Sequence, residues 1–319
     1  YSQSIPPGGI FGYAQNPTVP PGTYGFFGDP SWLILEGNPQ LKPEEANTKT
    51  YGFVISPGGG AEGMHFSADY YDITINGGQR LDSSTTVLNG CYNLHLADQC
   101  ARIVYGPPII PGNPTSNIFE VHVPYINATP YIARGIDFSF DYPIHLSNGT
   151  IALNLTTTKA NNLGYQDPIS LQLRNVAGQS GGGFGFLPDI APAPEWIGNL
   201  IVSYLRERFT LTGQVRYTGS GKLDLLDPYL GPGDPGYNPA LTGSVSNSNV
   251  PSSATFNLSG SYNFRSGGSK RTELFASITN VFDKDPPFSA NNTFGTGGVN
   301  GAFFDILGRT YRVGLRMSF

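Results

Sequence analysis

The side chains with the types to do chemistry are two cysteines, four histidines, a spaced set of aspartates and a scatter of aromatic residues in glycine-rich stretches. Cys91 and Cys100 sit in a polar, turn-rich stretch where two thiols can close a small loop. An oxidising compartment favours the disulfide; otherwise they are two unlinked thiols. His95, the one histidine near them, has no partner at metal-ligand spacing. His65, His95, His122 and His145 are too scattered in sequence to read as metal or haem ligands. Asp224, Asp227 and Asp234 share one loop, but their spacing matches no calcium-binding loop, so they read as solvated acids. Gly181-Gly182-Gly183-Phe184-Gly185-Phe186 superficially looks like a phosphate loop. It precedes no helix and lacks the Lys-Ser/Thr ending, which removes that reading. No Ser-His-Asp set or carboxylate pair is readable. Catalysis is therefore not expected, and no cofactor or metal is called for. Tyr105, Phe119, Tyr125, Tyr131, Phe184, Phe186, Tyr229 and Tyr237 are loop aromatics. They either stack on a sugar ring or an aromatic ligand, or pack among the loops themselves.

The elements that must position these residues are strands. The chain has 319 residues, of which 39% are hydrophobic and only 13% charged. A soluble domain carries about a quarter charged residues, so something other than charge covers this surface, and lipid is one candidate. The net charge of -5 and the absence of a basic stripe exclude a nucleic-acid partner. No apolar run approaches the roughly 18 residues of a transmembrane helix, so any membrane crossing must use strands. The 42 glycines and 27 prolines point to many turns and long loops.

Residues 1–47 show no sustained periodicity and read as a loop region; residues 48–319 read as a β-barrel section. Period-two alternation marks about nine strands. Tyr51, Phe53 and Ile55 form the first apolar face, followed by Met64, Phe66, Ala68 and Tyr70. After Tyr70 the apolar phase shifts to Tyr71, Ile73 and Ile75, which predicts a β-bulge or the end of a lipid-facing stretch. Residues from about 76 to 129 read as one long loop. Ile136, Phe138, Phe140 and Tyr142 then alternate with Asp137, Ser139 and Asp141. Further strands centre on Ile151–Leu155, Trp196–Tyr204, Phe209–Tyr217, Phe256–Phe264, Leu274–Ile278 and Tyr311–Phe319.

Two features favour a membrane barrel over a soluble sandwich. Connections alternate between short turns and long loops, as in outer-membrane barrels. The polar face carries Asn, Thr, Ser and Gln rather than Lys and Glu, as a hydrated lumen wall would. Backbone polar groups in lipid must be paired, so such a sheet must close. Nine alternating strands cannot close antiparallel on themselves, which predicts an open sheet here and missing upstream strands; Trp32 to Leu35 is the only other candidate. The rival readings are a small outer-membrane barrel serving as enzyme or adhesin, and a secreted β-sandwich binding module.

Three stretches carry a family resemblance. Gly37-Asn38-Pro39-Gln40-Leu41-Lys42-Pro43-Glu44 looks like the loop box before a mid-barrel strand of TonB-dependent receptors. Ile278-Thr279-Asn280-Val281-Phe282-Asp283-Lys284 is similar to their penultimate-strand box. Asp305-Ile306-Leu307-Gly308-Arg309-Thr310-Tyr311, continued to Phe319, resembles their C-terminal box. The resemblance implies an all-β fold, a transmembrane antiparallel β-barrel, with this chain as the C-terminal nine or so strands of a 22-stranded barrel. It implies a plug domain and a TonB-contacting segment that these residues do not include, so that the chain alone is not transport-competent. It also implies a bacterial outer-membrane receptor importing a siderophore, cobalamin, haem or an oligosaccharide with energy coupled through TonB. Arg312, Gly314, Met317 and Phe319 resemble the signal read by the barrel-assembly machinery, which with outer-membrane lipid completes the expected partners.

Overall fold

A computed structural model describes residues 32–318 except 83, 109, 116, 128–129, 167–172, 182–192, 226–230, 235–236, 240–244, 266–270 and 289–297. In chain order the elements are β1 (Trp32–Glu36), β2 (Glu45–Ile55), β3 (His65–Asn76), β4 (Gln79–Leu81), α1 (Ser84–Tyr92), α2 (Ala97–Cys100), β5 (Ile103–Tyr105), β6 (Ile118–Asn127), β7 (Tyr131–Leu146) and β8 (Gly149–Gln166). They continue with β9 (Leu173–Asn175), β10 (Trp196–Arg206), β11 (Phe209–Thr218), β12 (Gly221–Lys222), β13 (Asn249–Val250), β14 (Ser253–Arg265), β15 (Arg271–Thr279) and β16 (Thr310–Ser318).

The wall is one sheet in the order β2-β3-β7-β8-β10-β11-β14-β15-β16, with β9 on β8. Every pairing in it is antiparallel. Its nine long strands are the nine that alternation marks in the sequence. Among the described residues β2 and β16 are unpaired edges, so the sheet is open as expected. Leu146 pairs with Gly149 and Arg206 with Phe209, so two hairpins close over two residues each at one end of the wall. Glu207 accepts a positive φ of 34° to make its tight turn. The long connections 77–130, 167–195, 219–252 and 280–309 all leave the opposite end.

One face of the wall is apolar because it must meet hydrocarbon. Ile136, Phe138, Phe140, Tyr142 and Ile144 of β7 share that face. Nine residues at about 3.3 Å each, tilted across the wall, approach the height of an apolar band of about 25 Å. The shift after Tyr70 is not a bulge: β3 pairs in unbroken register with both neighbours. The outward face itself changes character there. Tyr51, Tyr70 and Ile136 form one cross-strand row, and the next row outward is Lys49, Asp72 and Arg134, with Arg134 Nε donating to Asp72 Oδ1 at 2.9 Å. The outward face thus passes from aromatic to charged within one row. The register break lies elsewhere, between Arg134 and Gly135, which face Asn162 and Ala160.

The long segment 76–129 is not simply a loop. It holds β4, α1, α2, β5 and β6, and β6 also receives β1 in parallel, Trp32 facing Glu120 and Leu35 facing Val123. Residues 32–36 are thus a strand of this outer sheet, not of the wall, and β2 starts at Glu45, slightly before the expected boundary. Val87, Leu88, Cys91, Ile103, Val121 and Val123 are buried together, with Leu33 and Leu81 packed on them. Burying these side chains, at about 1.5–3 kcal/mol each, is what folds the segment.

Candidate functional site

Two packed assemblies of external connections stand over a polar inner wall. The first is the α1–β6 assembly. Its disulfide joins Cys91 to Cys100, tying α1 to α2. Tyr105, one of the aromatics read as either stacking on a ligand or packing among the loops, packs against this core, with its hydroxyl 2.9 Å from that of Tyr92. Burial first, then this contact, pushes the Tyr92 phenol well above its usual range. On the opposite face His122 Nδ1 lies 2.6 Å from Glu36 Oε1 of β1, and its Nε2 lies 3.2 Å from Glu120 Oε2. The Glu36 contact is the chief reason the imidazole pKa is raised.

The segment Gly37–Glu44 ties this assembly to the wall. Asn127 accepts from Lys42 N at 2.8 Å and donates to Lys42 O at 2.8 Å and Gly77 O at 2.7 Å. Gln79 N donates to Glu44 Oε1 at 2.6 Å, Gln79 Nε2 to Lys42 O at 3.0 Å, and Asn38 Nδ2 to Tyr125 O at 3.0 Å. One asparagine thus joins the approaches to β2, the end of β3 and the end of β6.

The second assembly interlocks three connections. Val176, Leu223, Val250 and Phe304 are buried with Gln179, Ser180, Ser248 and Asn300. Leu225 N donates to Gln179 Oε1 at 2.9 Å and Asn300 Nδ2 to Gly181 O at 2.6 Å. Asp234 accepts from Lys222 Nζ at 2.8 Å, from Ser248 Oγ and from Gly231 N at 2.9 Å. Chiefly through Lys222, these donors hold its carboxyl well below the usual range. Its oxygens organise the loop. Tyr237 is half-buried, its N donating to Asp234 O at 3.1 Å. Phe184, Phe186, Tyr229 and Asp227 lie outside the described residues. Among the described residues no group of histidine, cysteine and carboxylate side chains is arranged to hold a metal.

The inner wall is lined by paired small polar groups. Thr158 donates to Asp137 at 2.6 Å, Asn154 to Asp141 at 2.5 Å, and Ser67 and Ser139 hydroxyls meet at 3.1 Å. A ladder of amides crosses three strands and ends just beyond β15: Gln214 Nε2 donates to Asn199 Oδ1 at 2.8 Å, Asn257 Nδ2 to Gln214 Oε1 at 3.1 Å, and Asn280 N to Asn257 Oδ1 at 2.9 Å. The backbone donor at Asn280 fixes which way each amide points. Asn280 itself is fully buried at a φ of 50°, its side chain bonded both ways to the Lys284 backbone.

At the last strand, Arg312, Gly314 and Arg316 face inward and Met317 outward, and Phe319 lies outside the described residues. Gly314 is opposite Phe275, and a Cβ there would lie 2.4 Å from the Phe275 ring. The ring fills the place of a side chain. Arg309 N donates to Asp283 Oδ1 at 2.9 Å, which joins the penultimate and terminal boxes directly.

The sequence alone gives His122 no partner and marks neither Asn127 nor the amide ladder as a joint, because each works through a contact between separate strands. The apolar pairs Val87-Leu88 and Val121–Val123 within the supposed loop were the available signal for the first assembly.

The comparisons with known proteins fit this architecture. The family described as TonB dependent receptor-like, beta-barrel, matches residues 1–281. No curated protein sequence matches the chain. Among solved structures, the siderophore receptor PirA from Acinetobacter baumannii is similar at TM-score 0.53 and 15% identity, over 88% of this chain and 32% of that one. The ferric enterobactin receptor PfeA from Pseudomonas aeruginosa is similar at TM-score 0.52 and 16% identity, over 88% of this chain and 32% of that one. These likenesses show the fold, and the chain spans about a third of the length of the structures it matches. With the matched family, the apolar outer face and the polar inner one agreeing, the chain belongs to the TonB-dependent receptor β-barrel family and lies in the bacterial outer membrane.

Proposed function

We propose that the intact protein binds a scarce nutrient outside the cell and imports it with energy coupled through TonB. The observation that carries this is the family match over residues 1–281, and its supporting feature is a polar wall topped by two packed external assemblies. The family is one of receptors, not enzymes. Residues 48–319 serve as barrel wall and external connections, and residues 1–47 lie outside the cell. A plug domain and a TonB-contacting segment complete the receptor. The ligand is a ferric siderophore first, since siderophore receptors are among the structural neighbours, with cobalamin, haem or an oligosaccharide next. Tyr237, with Phe184, Phe186 and Tyr229, contacts it. Arg312, Gly314, Met317 and Phe319 are read by the barrel-assembly machinery.

The test is growth of a gene-deletion strain with each ligand class supplied as the limiting nutrient, in the presence and absence of TonB. Loss of growth on one class, repeated when TonB is removed, is the expected result. Undiminished growth on every class, or uptake that persists without TonB, overturns the reading.

A further inference from the structure

At its external end the wall reverses its two faces. Where the outward face passes to Lys49, Asp72 and Arg134, the inward face passes to Tyr71, Ile73 and Ile75 of β3, beside Ala133 of β7 and, past it, Leu163 of β8. An inner surface that met only water would be polar, and a contiguous apolar patch of this kind marks a binding surface. These side chains are half-buried, not sealed. The outer end of the band is roofed. Tyr131 and Tyr165 meet edge to face at 6.5 Å, Gly78 has no side chain where the Tyr131 ring lies, and Arg80 Cζ stands 5.4 Å from the Tyr165 ring centre. Arg80 is itself buried, so it closes the roof and offers no charge to the lumen.

The inner end of the band is acidic. Asp69 of β3 and Asp137 of β7 stand directly opposite each other, one row below Tyr71, and both are exposed. Asp137 accepts from Thr158 Oγ1 at 2.6 Å, whereas Asp69 leans over Gly52 and accepts no hydrogen bond among the described residues. Like charges directly opposite on a sheet repel. Their strands bring no cation to them: no inward position of β2, β3, β7 or β8 is lysine or arginine, and Lys49, Arg134 and Lys159 all face outward. From Asp137 to Tyr131 the band runs about 20 Å, at about 3.3 Å per residue. Its occupant must be long, apolar along one side and cationic at its inner end. We propose that this band seats the imported ligand and selects a ferric hydroxamate complex, with its aliphatic spacers along Ile73, Ile75 and Leu163 and a terminal ammonium between Asp69 and Asp137. The proposal rests on the import reading and narrows it. Three hydroxamates neutralise ferric iron, so the complex carries only the charge of its amine. Three catecholates leave a trianion, which the carboxylates repel.

The test uses the full-length receptor, folded and purified in mild detergent and titrated with three ferric complexes. They are ferrioxamine B, which bears an ammonium, its N-acetylated form, which does not, and ferric enterobactin, a tris-catecholate. Affinity is expected to fall in that order. Asp69→Asn with Asp137→Asn is expected to weaken ferrioxamine B binding by about tenfold, the scale of a lost charge-assisted hydrogen bond, and to leave the acetylated form unchanged. Asp69→Asn alone alters an exposed side chain that accepts no hydrogen bond, so it folds and gives a smaller loss of the same kind. Ile73→Thr keeps a β-branched residue in the strand and is expected to weaken both hydroxamates alike. Absence of ferrioxamine B binding overturns the proposal, and so does ferric enterobactin binding as tight. Unchanged affinity in the double variant or in Ile73→Thr, or an equal loss of the acetylated form in the double variant, overturns it too. TonB-dependent growth on ferric enterobactin and not on ferrioxamine B would defeat this proposal and keep the import reading. Growth on ferrioxamine B through this receptor without TonB would strike the import reading itself.

Discussion

A neutral imidazole can donate from one nitrogen only, whereas His122 has a carboxylate at each. Protonated, it bridges Glu36 of β1 and Glu120 of β6; neutral, it leaves two carboxylates of like charge on adjoining strands. Because its folded pKa is raised above 6.5, the contribution is fully present below that value and is lost as pH rises through the higher folded one. Amides of residues 32–36 are therefore expected to have higher protection factors, with the intrinsic pH dependence of exchange divided out, at pH 6 than at pH 8.5. His122→Gln should flatten the difference, and a wild-type protection factor independent of pH would refute it. Asn127 works differently, by geometry alone. Its three bonds join three segments, and Asn127→Ala should cost about 2–3 kcal/mol of local stability, since each lost bond nets roughly 1 kcal/mol. The readout is faster limited proteolysis between residues 77 and 130 at unchanged wall stability. Asn127→Asp should do no better, because a carboxylate cannot donate to Lys42 O and Gly77 O.

Among elements, β16 depends on β15 through a missing side chain. Gly314→Ala places a methyl into the Phe275 ring, so the folded, heat-modifiable receptor in outer membranes should fall severalfold. Adding Phe275→Ala should restore much of it. Failure of that rescue would mean the glycine is needed for recognition by assembly proteins rather than for packing. The disulfide acts on its own assembly. Cys91→Ser with Cys100→Ser should destabilise the α1–α2 region by about 2–3 kcal/mol, the chain-entropy value for so short a loop. Proteolysis there should accelerate while the heat-modifiable wall band stays put. The wall strands were legible in sequence because lipid and lumen are two different solvents, and each stamps one phase of a period-two pattern. Ile136, Phe138 and Phe140 against Asp137, Ser139 and Asp141 need no partner to be read. The outer assembly left no such stamp. β1 joins β6 across most of the intervening chain, and Asn127 looks like any polar residue after a strand until Lys42 and Gly77 are beside it. The Gly37–Glu44 box was visible as a pattern, but its reason, the clamp on Asn127 and Gln79, needed coordinates.

Across the whole molecule the wall and its external assemblies are joined in contrasting ways. Each long wall strand pairs with the wall strands before and after it in the chain, and two of the hairpins close over two residues. The two short hairpins gather little chain, whereas β3 meets β7 only across residues 77–130. The parallel contact of β1 with β6 is of the other kind. Trp32 lies beside Glu120 only when all the chain between them, with β2, β3 and the inserted helices, is gathered in. The hairpins of the wall are therefore expected to form before the outermost parallel strand docks, and protection from a protease during refolding should reach the wall before residues 32–36. A receptor can be fully seated in its membrane and still be young on the outside.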